Sequence, residues 1–198
     1  MKIFLVTLIV TISTSFLSLL SYATAPALKA DFSSAVLPES WHRIHGEWTV
    51  VDGALLGSEL TAEKHAAVFF IPDSHANSTL RFRVRLDGAK GFHLGYNQPK
   101  DHLFRITLVD GVVKMIIDRD SKDPTSKRVE LAKASVKTKP GEWIDVACKI
   151  EANQATFSCG GTTLQGIHAN LSKEKTGYRF VVLGASAAFD DIAFSSSK

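Results

Sequence analysis

The sequence reads as an all-β protein, an antiparallel β-sandwich, and three observations carry that reading. First, apolar and polar residues alternate with a period of two in Leu80-Arg81-Phe82-Arg83-Val84-Arg85-Leu86, in Phe104-Arg105-Ile106-Thr107-Leu108 and in Ile144-Asp145-Val146-Ala147-Cys148. A strand turns successive side chains to opposite faces, so this pattern means strands with one buried face. Second, turn dipeptides recur at short intervals: Asp52-Gly53, Asp87-Gly88, Asp110-Gly111 and Gly160-Gly161. Asp-Gly adopts the positive φ angles of a two-residue hairpin turn at low cost. Third, helical periodicity is weak beyond the N-terminal segment, with one short helical turn expected over 61–65. Many short strands with regular turns form a sandwich or barrel.

The elements follow in order. Strands are expected at 48–51, 54–58, 67–71, 80–86, 91–96, 104–108, 112–118, 143–151, 155–160, 178–183 and 187–194. The charged stretch 119–127, which contains Pro124, and the Lys-rich stretch 133–141, which ends in Pro140-Gly141, read as loops. No second domain, long linker or repeat breaks the pattern.

The N-terminus predicts export. Lys2 precedes an uncharged, apolar stretch from Ile3 to Leu20, and the small residues Ser21, Ala23 and Ala25 follow. That order describes a secretory signal peptide. Cleavage is expected after Ala23, because a cut after Ala25 would place Pro26 directly beyond it. Residues 1–23 are thus the expected signal peptide and 24–198 a single extracytoplasmic domain of roughly 175 residues, enough for a sizeable core. The competing reading is an uncleaved membrane anchor. The formal net charge of +3 falls only to about +2 when Lys2 is removed, which gives no basic field for nucleic acid.

Cys148 and Cys159 are the only cysteines. A hairpin turning at Asn153-Gln154 would set them directly opposite each other on the apolar face, where Cβ atoms are close enough for a disulfide. A one-residue slip of that turn would leave two buried thiols instead.

An ordered series of motifs resembles a known family. Trp41, then Gly46-Glu47-Trp48-Thr49-Val50-Val51-Asp52-Gly53-Ala54-Leu55, is similar to the opening of concanavalin A-like jelly-roll proteins of the DUF1080 group, also described as 3-keto-disaccharide hydrolase-like or family 16 glycoside hydrolase-like. The likeness continues through Lys64-His65-Ala66-Ala67, Gly91-Phe92-His93-Leu94-Gly95-Tyr96-Asn97, Asp101-His102-Leu103-Phe104-Arg105-Ile106 and Pro140-Gly141-Glu142-Trp143, and closes on Phe189-Asp190-Asp191-Ile192. It spans nearly all of the domain and matches a short, planctomycete-type branch. The resemblance implies a concanavalin A-like jelly roll and a carbohydrate partner. The acidic strand motifs that carry catalysis in the hydrolase branches are absent, so no catalytic residue is carried over.

Each candidate site has an ordinary structural role as its alternative. Glycoside cleavage uses two carboxylates flanking the bond; the strand candidates Glu59, Asp118 and Asp145 form no pair by spacing. The loop Asp118-Arg119-Asp120-Ser121-Lys122-Asp123 alternates carboxylates as calcium loops do, but lacks the turn glycine. His42-Arg43-Ile44-His45 and the pair Asp190-Asp191 are the other metal candidates, and a structural calcium is the one cofactor considered. Arg81, Arg83 and Arg85 form a basic stripe that would suit acidic glycans, or would pair with acids on neighbouring strands. Trp41, Trp48 and Trp143 are expected in the core. The binding candidates are His65, His93, Tyr96, Asn97, His102 and Arg105: planar hydrogen-bonding groups with one aromatic, as sugar sites use. The expected function is glycan recognition on a concave sheet, with a glycoside hydrolase-like enzyme and an envelope protein-contact module as alternatives.

Overall fold

The computed structural model describes residues 28–198 except 35 and 100; the expected signal peptide lies outside the described residues. The strands are β1 (Leu28–Ala30), β2 (His42–His45), β3 (Glu47–Val51), β4 (Ala54–Ser58), β5 (Ala67–His75), β6 (Asn77–Leu86), β7 (Ala89–Gln98), β8 (Asp101–Val109), β9 (Val112–Ile117), β10 (Val129–Ser135), β11 (Trp143–Glu151), β12 (Gln154–Cys159), β13 (Thr162–Ile167), β14 (Lys175–Gly184) and β15 (Ser186–Ser197). Two short 3-10 turns, Thr61–Glu63 and Ala169–Ser172, are the only helical pieces among the described residues. No helix there is long and apolar enough to cross a membrane.

The strands form the expected sandwich of two antiparallel sheets. One runs β13-β12-β11-β6-β15-β4-β3 with β1 added beside β15, and the other runs β10-β9-β8-β7-β14-β5-β2. Alternation decides which side chains meet between them. Leu80, Phe82, Val84 and Leu86 of β6 point inward, as do Phe92, Leu94 and Tyr96 of β7 and Phe180 and Val182 of β14. Phe189 sits at the centre, with Phe180 at 5.3 Å, Phe82 and Trp48 at 6.0 Å and Phe92 at 6.2 Å between ring centroids. Edge-on and tilted contacts of this kind add to the hydrophobic stabilisation of the rings.

Two Asp-Gly pairs form hairpin turns with positive φ at both residues. Asp52 and Gly53 (φ 50° and 73°) join β3 to β4, and Asp110 and Gly111 (φ 48° and 71°) join β8 to β9. The strands the sequence does not announce are β1, β2, β10 and β13. Three of these close a sheet edge, and β1 flanks β15. Edge strands are half solvated, so their burial pattern, such as that of Val129–Ser135, lacks strict alternation.

The β11–β12 hairpin departs from expectation. It turns at Ala152-Asn153, one residue earlier than expected, so Cys148 faces Phe157 and Cys159 faces Val146. The cysteines share a face but are diagonal neighbours, and both are free, buried thiols. The expected disulfide is therefore not formed, because diagonal pairs lie farther apart than direct ones. The Asn77 side chain pins the turn, its Oδ1 accepting from Ala152 N at 2.8 Å. Burial pushes both thiols up to about 12.

On the outer face of the first sheet, the arginine stripe is largely spoken for. Arg83 pairs with Asp190 and, at 2.9 Å, with Asp191; Arg85 makes a two-pronged contact with Asp87 at 3.0 and 2.9 Å. Both guanidinium groups lie over Trp143, 5.1 and 4.8 Å from its ring. Trp143 is thus an outer-face platform for arginines rather than a core residue. Trp41 is core, as expected, packed edge-on against Phe69 at 6.3 Å.

Candidate functional site

The outer face of the second sheet carries a recess of about 240 Å³ that spans β8, β7, β14 and β5. Its lining follows from the same alternation that builds the core. Between buried Phe92, Leu94 and Tyr96, β7 presents His93, Gly95 and Asn97 outward. Between buried Phe104 and Ile106, β8 presents Arg105; between buried Tyr178 and Phe180, β14 presents Arg179. Strand register sets Arg105 opposite Gly95, and Gly95 opposite Arg179, in one continuous rung. His93 lies on the next rung, beside Val181.

A β-bulge brings His102 to this face. Tyr96 pairs with Phe104 but Asn97 pairs with His102, so Leu103 is an extra residue in β8. Regular alternation would turn His102 inward with Phe104 and Ile106; the bulge turns it outward. There its Nδ1 donates to Asn97 Oδ1 at 3.1 Å, and Arg179 Nη1 lies 3.4 and 3.5 Å from the two ring nitrogens. His65 closes the opposite rim, its ring stacked on His45 at 4.1 Å.

Of the sequence candidates, His65, His93, His102 and Arg105 line the recess, and Asn97 stands beside it on His102. Tyr96 does not. It shares the period of Phe92 and Leu94, is wholly buried, and packs on Tyr178 and Phe104 at 5.4 and 5.6 Å. Asp118, a candidate catalytic carboxylate and calcium ligand in the sequence, instead lies buried just past β9 and forms an ion pair with Arg105, with Arg128 at 3.6 Å. Asp120 and Asp123 accept from the backbone of Lys122 and Thr125, which organises the loop. Among the described residues no cluster of three His, Cys, Asp or Glu could hold a metal ion. Arg179 is the residue sequence reasoning missed. Its signal is present: one cation between two large core-type residues in Tyr178-Arg179-Phe180, as Arg105 stands between Phe104 and Ile106.

Two imidazoles of the recess, His93 and His102, are held towards the neutral form. Burial, then the charge of Arg105, pushes His93 down from 6.5 to about 4. Burial and the Arg179 charge lower His102, and burial lowers His75 in the core. Burial and the like charge of Arg105 also lower Arg179. Each of these histidines binds its proton more readily in the unfolded chain, so unfolding takes up protons on acidification. Stability is expected to fall as pH drops from 6.5 towards 4. Urea midpoints measured between pH 7 and about pH 4.5 check this; a flat profile would count against buried, neutral imidazoles.

No family model matches the chain, and no curated protein matches it in sequence. Solved structures do. Carbohydrate-binding module CBM66 from Bacillus subtilis superposes with a TM-score of 0.63 at 12% identity over 79% of this chain and 96% of that one. A Bacillus subtilis protein of unknown function with a galectin-like fold gives 0.65 at 10% identity, covering 87% and 96% of the two chains. SCLam, a non-specific endo-beta-1,3(4)-glucanase of family GH16, gives 0.60 at 9% identity over 86% and 91%. The fold is a concanavalin A-like jelly roll. On that scaffold the recess occupies the outer face of the seven-stranded sheet, and the arginine–tryptophan cluster occupies the other sheet.

Proposed function

We propose that this protein is an exported carbohydrate-recognition jelly roll that binds glycan at the recess on the seven-stranded sheet. The observation that carries the reading is the rung Arg105–Gly95–Arg179 with His93 and His102 beside it: planar donors and acceptors converging on an open floor. Such groups fix hydroxyls by direction, which is what sugar recognition needs. The fold adds support, since structures of the same architecture include carbohydrate-binding modules and glycoside hydrolases. Kinship with the DUF1080 group, and delivery out of the cytoplasm by residues 1–23, belong to the same proposal.

Two further observations weigh between binding and cleavage. Asp118 is the one carboxylate lining the recess among the described residues, and Arg105 already engages it. Glycosidases ordinarily use a pair, one acid and one base or nucleophile. At about 240 Å³ the recess is smaller than the ~300–1,000 Å³ of drug-sized pockets, which fits one sugar unit rather than a buried chain. Of the exposed large apolar side chains, Val129 and Ile167 lie on the adjoining strands β10 and β13, while Val36, Ile44 and Val51 sit on other segments, so a protein-contact role has less to draw on.

The test is a glycan array probed with the purified protein and with Arg179→Ala. The wild type is expected to bind a defined glycan set, and the variant to lose it. Arg179 is the better probe because it has no carboxylate partner among the described residues. Equal binding by the variant would remove the recess as the site. Silence from a folded wild type would move the role to protein contacts.

A further inference from the structure

Resting on that reading, we infer that the recess takes an anionic sugar unit, with a carboxylate or sulfate group seated over Gly95 between the guanidinium groups of Arg105 and Arg179. The argument starts at Gly95. Glycine in a strand interior weakens the strand relative to alanine. Where it stands, either the backbone or the space demands it. The backbone does not: Gly95 is not among the residues with positive φ. Nor is there a clash to avoid, since a Cβ at this position would meet only Arg179, at 3.4 Å from Cβ and 3.9 Å from O. This contrasts with Gly57, where a Cβ would strike the Trp48 ring at 2.5 Å, and with Gly91, where it would strike Leu108 O at 1.9 Å. What Gly95 does is leave the floor open between two arginines.

Those arginines stand two strand spacings apart, about 9.5 Å between Cα atoms, with a bare strand between them. The distance leaves room for a group that both can reach. Each has an Nε–H that is buried and has no protein acceptor. Buried donors of this kind are normally satisfied, so both point to a missing acceptor. The charge agrees. Arg105 and Arg179 face one lining carboxylate, Asp118; adding the flanking Arg128 and Asp101 leaves the excess positive. Asp101 is also engaged already, accepting from the backbone N–H of His102 and Ser121 at 2.8 and 2.7 Å. Guanidinium forks match the geometry of carboxylate and sulfate oxygens and add energy as well as direction. Hydroxyls alone would leave the Arg179 charge facing Arg105 with no carboxylate of its own.

The inference is tested by calorimetric titration with trisaccharides in galacto, gluco and manno series. Each series supplies a uronate, its methyl ester, a sulfated neutral sugar and the plain neutral sugar. In at least one series the uronate or the sulfated sugar is expected to bind about tenfold or more tighter than the ester and the plain sugar. Raising NaCl from about 50 to about 500 mM should weaken that binding. Whether uronate or sulfate binds tighter identifies the natural anion. Arg179→Gln and Gly95→Val should each remove the preference while the urea midpoint stays near wild type, because valine suits a strand and would fill the floor. Neutral and charged sugars binding equally would overturn the charge inference and leave the glycan reading standing. So would an unchanged preference in both variants. No binding in any series would sink both.

Discussion

Lys175→Met is expected to destabilise the protein by about 3 kcal/mol. Lys175 is fully buried at the start of β14, and no carboxylate among the described residues pairs with it. Its ammonium instead donates to three backbone carbonyls: Leu171, Ala76 at 2.5 Å and Lys173 at 2.9 Å. These acceptors belong to two separate loops, the β5–β6 turn and the segment around the 3-10 turn Ala169–Ser172. One side chain therefore ties both loops to β14. Burial pushes the ammonium down to about 8, which still leaves it mainly charged at neutral pH. Replacing a whole buried ion pair with apolar groups can be neutral, because the desolvation penalty goes with it. Here only the donor would go, and three carbonyls would be left aimed at a methyl group. A loss of about 3 kcal/mol lowers the melting temperature of a domain this size by roughly 6–12 °C. Urea and thermal unfolding of Lys175→Met and Lys175→Arg measure it. A Met variant as stable as wild type would mean that the carbonyls find water at no cost. Anionic-sugar binding should survive in either case, because Arg179 lies four residues farther along β14 and points to the outer face.

The fold and the site were legible to different depths, for physical reasons. Central strands such as β6, β8 and β11 show in the sequence because one face is buried along their whole length, which enforces a period of two. Edge strands hide because solvent tolerates either residue type on both faces. The turn error at Ala152 arises because a contact distant in sequence, Asn77 to Ala152 N, fixes a register that local turn preference would place one residue later. The same logic divides the site. Arg105 and His93 could be read as outward-facing from their neighbours. Tyr96 could be excluded by the same alternation, since it is in phase with Phe92 and Leu94. The outward turn of His102 depends on the bulge at Leu103, and the meeting of Arg179 with Gly95 on strand pairing across some eighty residues. Neither is encoded locally.

Arg105→Ala is expected to cost about 2 kcal/mol of stability and to abolish anionic-sugar binding, and Asp118→Asn separates the two effects. Asp118 is 7% exposed and pairs with Arg105, so truncating the arginine leaves a nearly buried carboxylate. Breaking a fully buried pair costs ~3–5 kcal/mol. The figure is lower here because Arg128, 3.6 Å from the same oxygen, remains as a partially solvated substitute. In the double variant Arg105→Ala/Asp118→Asn the stranded charge is gone, and about 1 kcal/mol should return, read as a coupling energy in a double-mutant cycle. Binding should not return, because the guanidinium is still missing. Asp118→Asn alone makes the sharpest test of how the recess is balanced. It removes the carboxylate that competes with the ligand for Arg105, so an anionic sugar should bind several-fold tighter even as the fold loses stability. Calorimetry and urea unfolding on the four proteins give both quantities. If Asp118→Asn weakens binding as much as Arg105→Ala does, then Asp118 contacts the ligand itself. The recess would then be a hydroxyl-binding site in which the carboxylate is an acceptor, and the positive excess would belong to the scaffold.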